Sequence, residues 1–118
     1  MRITGFVAGP FQTNCYVVAN GDRAMVIDPG LGAHDVVTRL ADEKGFTVEA
    51  VVLTHGHIDH IRDAAAFGVE TFVHPADAFM LLRGDGVSEQ ARELHDASGM
   101  QPIDNPTPLA DGQVLTVA

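Results

Sequence analysis

Cysteine is nearly absent. The single thiol of this 118-residue chain, Cys15, has no partner for an internal disulfide. It lies in the apolar run Cys15-Tyr16-Val17-Val18, which predicts a buried structural thiol rather than a reactive one. Basic residues are scarce as well. Seven Lys and Arg stand against 16 Asp and Glu, for a formal net charge of −9, and no basic cluster occurs. Nucleic acid and anionic membrane are bound chiefly through Lys and Arg, so neither is an expected partner. No apolar run approaches the ~18 residues that a membrane span needs. Met1-Arg2-Ile3-Thr4-Gly5 has neither the apolar core nor the small-residue cleavage site of a secretory signal, so a cytoplasmic protein is expected. Repeats and low-complexity tracts are also missing.

What remains is a globular composition, 46% apolar and 19% charged, of a length that fits one domain with a small core. Strands are expected at Ile3–Val7, Cys15–Ala19 and Ala24–Ile27, punctuated by Gly9-Pro10, the hairpin signal Asn20-Gly21-Asp22, and Asp28-Pro29-Gly30. Their near-continuous apolarity predicts burial on both faces. Val36, Val37, Leu40 and Ala41 then recur at helical spacing, with Lys44 in the last turn and Gly45 as a left-handed cap. Val48–Leu53 returns to strand. Short helices are expected over 61–67, over 75–82 with Pro75 in the first turn, and over 89–97 with Ser88 as cap. Between them Thr71–Val73 reads as a strand. Pro102, Pro106 and Pro108 mark an extended connector, and Val114–Val117 opens a last strand after the Asp111-Gly112 turn. Alternating strands and helices define an α/β fold.

Half of the six histidines fall in one stretch, Thr54-His55-Gly56-His57-Ile58-Asp59-His60, directly after the apolar run Val51-Val52-Leu53. Imidazole and carboxylate together are the ligand set for zinc, iron or manganese. Donors close in sequence converge at little entropic cost. His55 and His57 leave the same face of extended backbone, and Asp59 repeats that spacing. His60, adjacent to Asp59, points elsewhere and suits a second ion. The spacing thus assigns one ion to His55 and His57 and a neighbouring one to Asp59 and His60.

These residues resemble a family. Thr-His-Gly-His-Ile-Asp-His matches the T-H-x-H-x-D-H signature of the metallo-β-lactamase superfamily, which includes glyoxalase II-type thioesterases. Thr13-Asn14-Cys15-Tyr16-Val17-Val18 is similar to its N-C-Y-L-V strand, Val26-Ile27-Asp28-Pro29-Gly30 to its I-D-P-G turn, and Leu109–Leu115 to its L-x-D-G-x-x-L hairpin. The resemblance implies an α/β fold, the N-terminal half of the αββα sandwich, with a mixed sheet and flanking helices. On that reading residues 1–118 form a single partial domain, and the C-terminal half with the remaining metal ligands lies outside the chain. His55, His57, Asp59 and His60 would be metal ligands, and Asp59 would also orient the attacking water. Two zinc ions would fill a complete site, with iron or manganese as alternatives. Asp28 has two readings, support of the loop through hydrogen bonds or simple turn chemistry before Pro29-Gly30.

The implied chemistry is metal-assisted hydrolysis, in the glyoxalase II-like branch of a thioester whose thiolate leaves unprotonated. β-Lactam or lactone hydrolysis on the same fold, and a non-catalytic metal-binding or assembly module, are the competing readings. As a truncated half, the chain is expected to hold metal weakly, to be inactive alone, and to self-associate through its uncovered surface. His34 opens a helix, His74 fits a helix N-cap, and His95 is expected on a solvated helix face. Arg62 follows the motif where many relatives carry glycine, and it points either to the pocket or to solvent.

Overall fold

Local turn chemistry sets up the first half of the sheet. The computed structural model describes residues 1–117. β1 (Arg2–Ala8), β2 (Thr13–Asn20) and β3 (Arg23–Ile27) form an antiparallel meander. Gly21, at φ 63°, supplies the positive φ that the tight β2–β3 turn requires. Helix α1 (Ala33–Lys44) follows, and Gly45, at φ 74°, ends it by donating its N–H to the Ala41 carbonyl. The chain returns as β4 (Thr47–Val52), parallel to β3. β5 (Glu70–Val73) and the two-residue β6 (Thr107–Pro108) extend the parallel half. The strands lie side by side in chain order, giving one mixed six-stranded sheet. β6 falls inside the expected connector. Pro108 cannot donate to a ladder, which suits it to an edge.

The core lies on one face of this sheet. Cys15, Val17, Ala24, Val26, Val51 and Val73 share that face and cluster with Val37 of α1, Ile58 and Ile61. Fully buried Cys15 bears out the structural-thiol reading. Burial first, then the charges of Asp28 and Asp63, pushes its thiol up to about 12. The expectation of burial on both faces is corrected. Along β2 buried residues alternate with exposed or half-buried ones, and on the second face Ile3, Val7 and Tyr16 are 67%, 59% and 41% exposed. That face is itself apolar, so the alternation is invisible as a polarity pattern.

Tertiary hydrogen bonds also break the expected helices. The helix expected over 61–67 is instead α2 (Ile58–Ile61) and a 3-10 turn at Ala64–Phe67. Between them Asp63 donates its N–H to the Pro29 carbonyl, while its carboxylate accepts from Gly32 and His34 at 2.9 and 3.0 Å. Over 75–82 the chain forms a 3-10 turn, Pro75–Asp77, then α3 (Met80–Arg83). His74 caps that turn as expected, its Nδ1 accepting from Ala76. Ser88 caps α4 (Glu89–Leu94), which stops before Asp96 enters the left-handed region at φ 51°. Val114–Val117 forms no strand among the described residues. It has no ladder partner there, and runs over the second face, where Asn20 donates to the Val117 carbonyl at 3.1 Å. No helix of the described residues is long and apolar enough to cross a membrane.

Candidate metal centre

Parallel pairing of β3 and β4 brings Asp28 and Thr54 to the same edge of the sheet, beyond the carboxyl ends of both strands. The Asp28 N–H donates to the Val52 carbonyl at 3.2 Å. Asp28 takes φ 56°, a strained conformation for a residue other than glycine, and it is 4% exposed. Its carboxylate is what this placement serves. Oδ1 accepts from Thr54 N–H at 2.8 Å, and Oδ2 accepts from the Thr54 hydroxyl at 2.6 Å. The same Oδ2 lies 2.8 Å from His60 Nδ1.

This network fixes two tautomers. A carboxylate only accepts, so His60 Nδ1 carries a proton, and a ring that binds a metal does so through Nε2. The Thr54 hydroxyl has one proton, and Asp28 takes it. His55 Nδ1, 3.0 Å from that hydroxyl oxygen, must therefore donate, which leaves His55 Nε2 free as well. Asp28 is thus a hydrogen-bonding support of the loop, the first of its two sequence readings. Asp28, His55 and His60 bring donor atoms within 4.8 Å of one another. The three hydrogen bonds already on the Asp28 carboxylate make it the orienting member of that trio.

Asp59 lies beside this group. Its Oδ2 is 3.3 Å from His60 Nε2, a separation that two ligands of one ion can have. It also accepts from the Thr13 hydroxyl at 3.0 Å. The His55 ring meets those of His57 and His60 with centroids 4.8 and 4.1 Å apart. Burial first, then the neighbouring His60 and His57, pulls His55 below the usual imidazole range, against the opposing charges of Asp28 and Asp59. Imidazoles beside a carboxylate form a donor set that fits a divalent cation.

The loop is held from both ends. Ile58 and Ile61, one turn apart and buried, anchor α2 in the core and leave Asp59 and His60 outward. Gly56 donates to Asp77 Oδ2 at 2.9 Å, and a Cβ there would meet the Asp77 carbonyl and Met80 sulfur, each at 2.9 Å. A Cβ on Gly30 would strike the Asp59 carbonyl oxygen.

The remaining expected positions divide clearly. His34 packs on Phe67 with ring centroids 4.9 Å apart. Arg62 turns away from the loop and donates to the carbonyls of His95 and Asp96 at 2.8 and 3.1 Å. His95 corrects the sequence reading, because it is fully buried rather than solvated; it packs under Phe11, which lies far away in sequence. Thr13, Asp77 and the supporting role of Thr54 were missed. Thr54 and Thr13 each sit inside a quoted motif, whereas nothing local marks Asp77.

The family model described as the Metallo-beta-lactamase superfamily matches residues 8–117. The chain belongs to this superfamily. Its site is therefore built on a metal-dependent hydrolase fold. An uncharacterized protein of Mycobacterium tuberculosis is 52% identical over 87 residues, covering 69% of this chain and 39% of that protein. A hydroxyacylglutathione hydrolase of Xanthomonas campestris is 42% identical over 65 residues, 55% of this chain and 25% of its own length. The crystal structure of the B3 metallo-beta-lactamase BLEG-1 superposes with a TM-score of 0.73 at 29% identity, covering 98% of this chain and 56% of that one. The chain thus spans about 39% of the mycobacterial relative it matches.

Proposed function

We propose that this chain supplies the His55, His57, Asp59 and His60 ligands of a two-zinc hydrolase whose substrate is a small thioester. The observation that carries the reading is the Asp28–Thr54–His55 and Asp28–His60 network, which occupies the Nδ1 atoms and leaves the Nε2 atoms of both rings for a metal beside the Asp59 carboxylate. Divalent ions held by these residues would supply Lewis acidity to a carbonyl and to a bound water. Asp59, steadied by the Thr13 hydroxyl, would orient that water. Asp28 keeps His60 and His55 in their metal-ready tautomers throughout. A thioester suits metal-assisted hydrolysis, because its thiolate departs without being protonated. The partial identity to a hydroxyacylglutathione hydrolase supports this substrate class.

The full-length protein, loaded with zinc, is expected to hydrolyse S-lactoylglutathione. Stoichiometric zinc without turnover of any thioester contradicts the assignment. The likeness to BLEG-1 favours a second reading, β-lactam hydrolysis. A chromogenic cephalosporin assayed beside the thioester separates the two.

A further inference from the structure

His95 is among the most thoroughly buried side chains of the chain. It follows α4 directly, and its Nδ1 lies 2.8 Å from the Ala91 carbonyl. A carbonyl only accepts, so Nδ1 carries the proton. Nε2 is buried with no hydrogen-bond partner among the described residues. One ring nitrogen is thus hydrogen-bonded and the other is not, and an unmet buried acceptor is destabilising. What the ring does meet is Phe11, edge to face, with centroids 4.7 Å apart and planes at 79°.

Phe11 lies in the tight connection between β1 and β2. Gln12 there takes φ 51° and donates its N–H to the Gly9 carbonyl at 3.1 Å. Phe11 is 50% exposed, and the His95 ring packs against its covered part. Thr13, two residues on, is the residue whose hydroxyl holds Asp59. The backbone of His95 reaches the other flank of the same loop, because its carbonyl accepts from Arg62, two residues beyond His60. One residue after α4 therefore touches both the segment leading to Thr13 and the segment leaving His60.

We propose that His95 is a positioning residue, whose ring clamps Phe11 so that the β1–β2 connection delivers Thr13 to Asp59. The inference rests on the reading that Asp59 and His60 hold a metal ion, and its test separates the two. In metal-free protein, amide hydrogen exchange reports the connection directly. His95→Leu fills the space without an aromatic edge. The Gln12 amide should then exchange about three- to tenfold faster, with the core amides of Val17 and Val26 unchanged. In a titration with zinc alone, the ion bound through Asp59 should weaken about tenfold relative to the other. His95→Phe keeps a ring against Phe11 and should restore both readouts. Phe11→Ala removes the same contact from the exposed side. It should loosen Gln12 even where His95→Leu fails to fold. Unchanged Gln12 exchange in Phe11→Ala, acceleration spread evenly over the core, or no restoration by His95→Phe overturns the clamp. Wild-type protein that takes up no zinc overturns the proposed function instead, and the exchange result then judges His95 by itself.

Discussion

Gly30→Ala tests how tightly the metal loop is seated on the sheet. Gly30 does not occupy the left-handed region, so its backbone tolerates a side chain. Space is the constraint. The added methyl would strike the carbonyl oxygen of Asp59, with the Ala8 carbonyl 3.7 Å away on another side. Both obstacles are backbone. Asp59 cannot retreat freely, because Ile58 and Ile61 on either side of it are 0% and 3% exposed. The Asp63 N–H is also bonded to the Pro29 carbonyl at 3.0 Å. Overpacking of this kind costs about 1–3 kcal/mol. With a urea m-value of about 1–1.5 kcal/mol/M for a small domain, the unfolding midpoint should fall by about 0.7–3 M. Gly5→Ala is the matched control. Its methyl would meet only the Tyr16 ring, at 3.0 Å, and that ring is exposed and free to move. The control should stay within about 0.5 kcal/mol of wild type. Urea unfolding followed by circular dichroism, with zinc stoichiometry measured on the same samples, gives both readouts. Equal midpoints for the two variants, or a Gly30→Ala protein that binds zinc as wild type does, would refute the reasoning.

Three further outcomes follow from the same geometry. Asp28→Asn replaces an acceptor with a donor opposite His60 Nδ1 and Thr54, so stability should drop by about 1–3 kcal/mol and zinc affinity about 10- to 100-fold, read by calorimetry. The Cys15 thiol, pushed up to about 12 by burial, keeps its proton when the unfolded chain has lost it. Stability should therefore fall as pH rises from about 9 to 12, by at most about 4 kcal/mol, and Cys15→Ala should flatten that slope in urea titrations. His55, held below its usual range by burial and by His60 and His57, shifts the other way. The unfolded chain takes up the proton first, so metal-free stability should decline as pH falls below about 6.5, and His55→Asn should decline less.

Much of this arrangement was legible from local chemistry. The Asn20-Gly21-Asp22 turn, the Gly45 cap and the Ser88 cap each act on residues within one turn of themselves, so β2, β3, α1 and the start of α4 fall where the sequence places them. The histidine loop is a local motif too. What local patterns cannot carry is long-range use of a side chain. Asp63 caps α1 across about thirty residues and Asp77 holds Gly56 across 21, and both bends interrupt helices that periodicity draws as continuous. His95 lies among polar neighbours, yet its ring is covered by Phe11. The sheet's two faces are both apolar, so periodicity alone reports burial where one face is open.

Anomalous diffraction from zinc-loaded crystals tests the central claim most directly. The account predicts zinc about 2.0–2.1 Å from Nε2 of His55 and of His60, with the Asp59 carboxylate beside the second ion and Asp28 bound only to protein. No ordered zinc at the loop, or zinc bound through Nδ1 of either histidine, would contradict it.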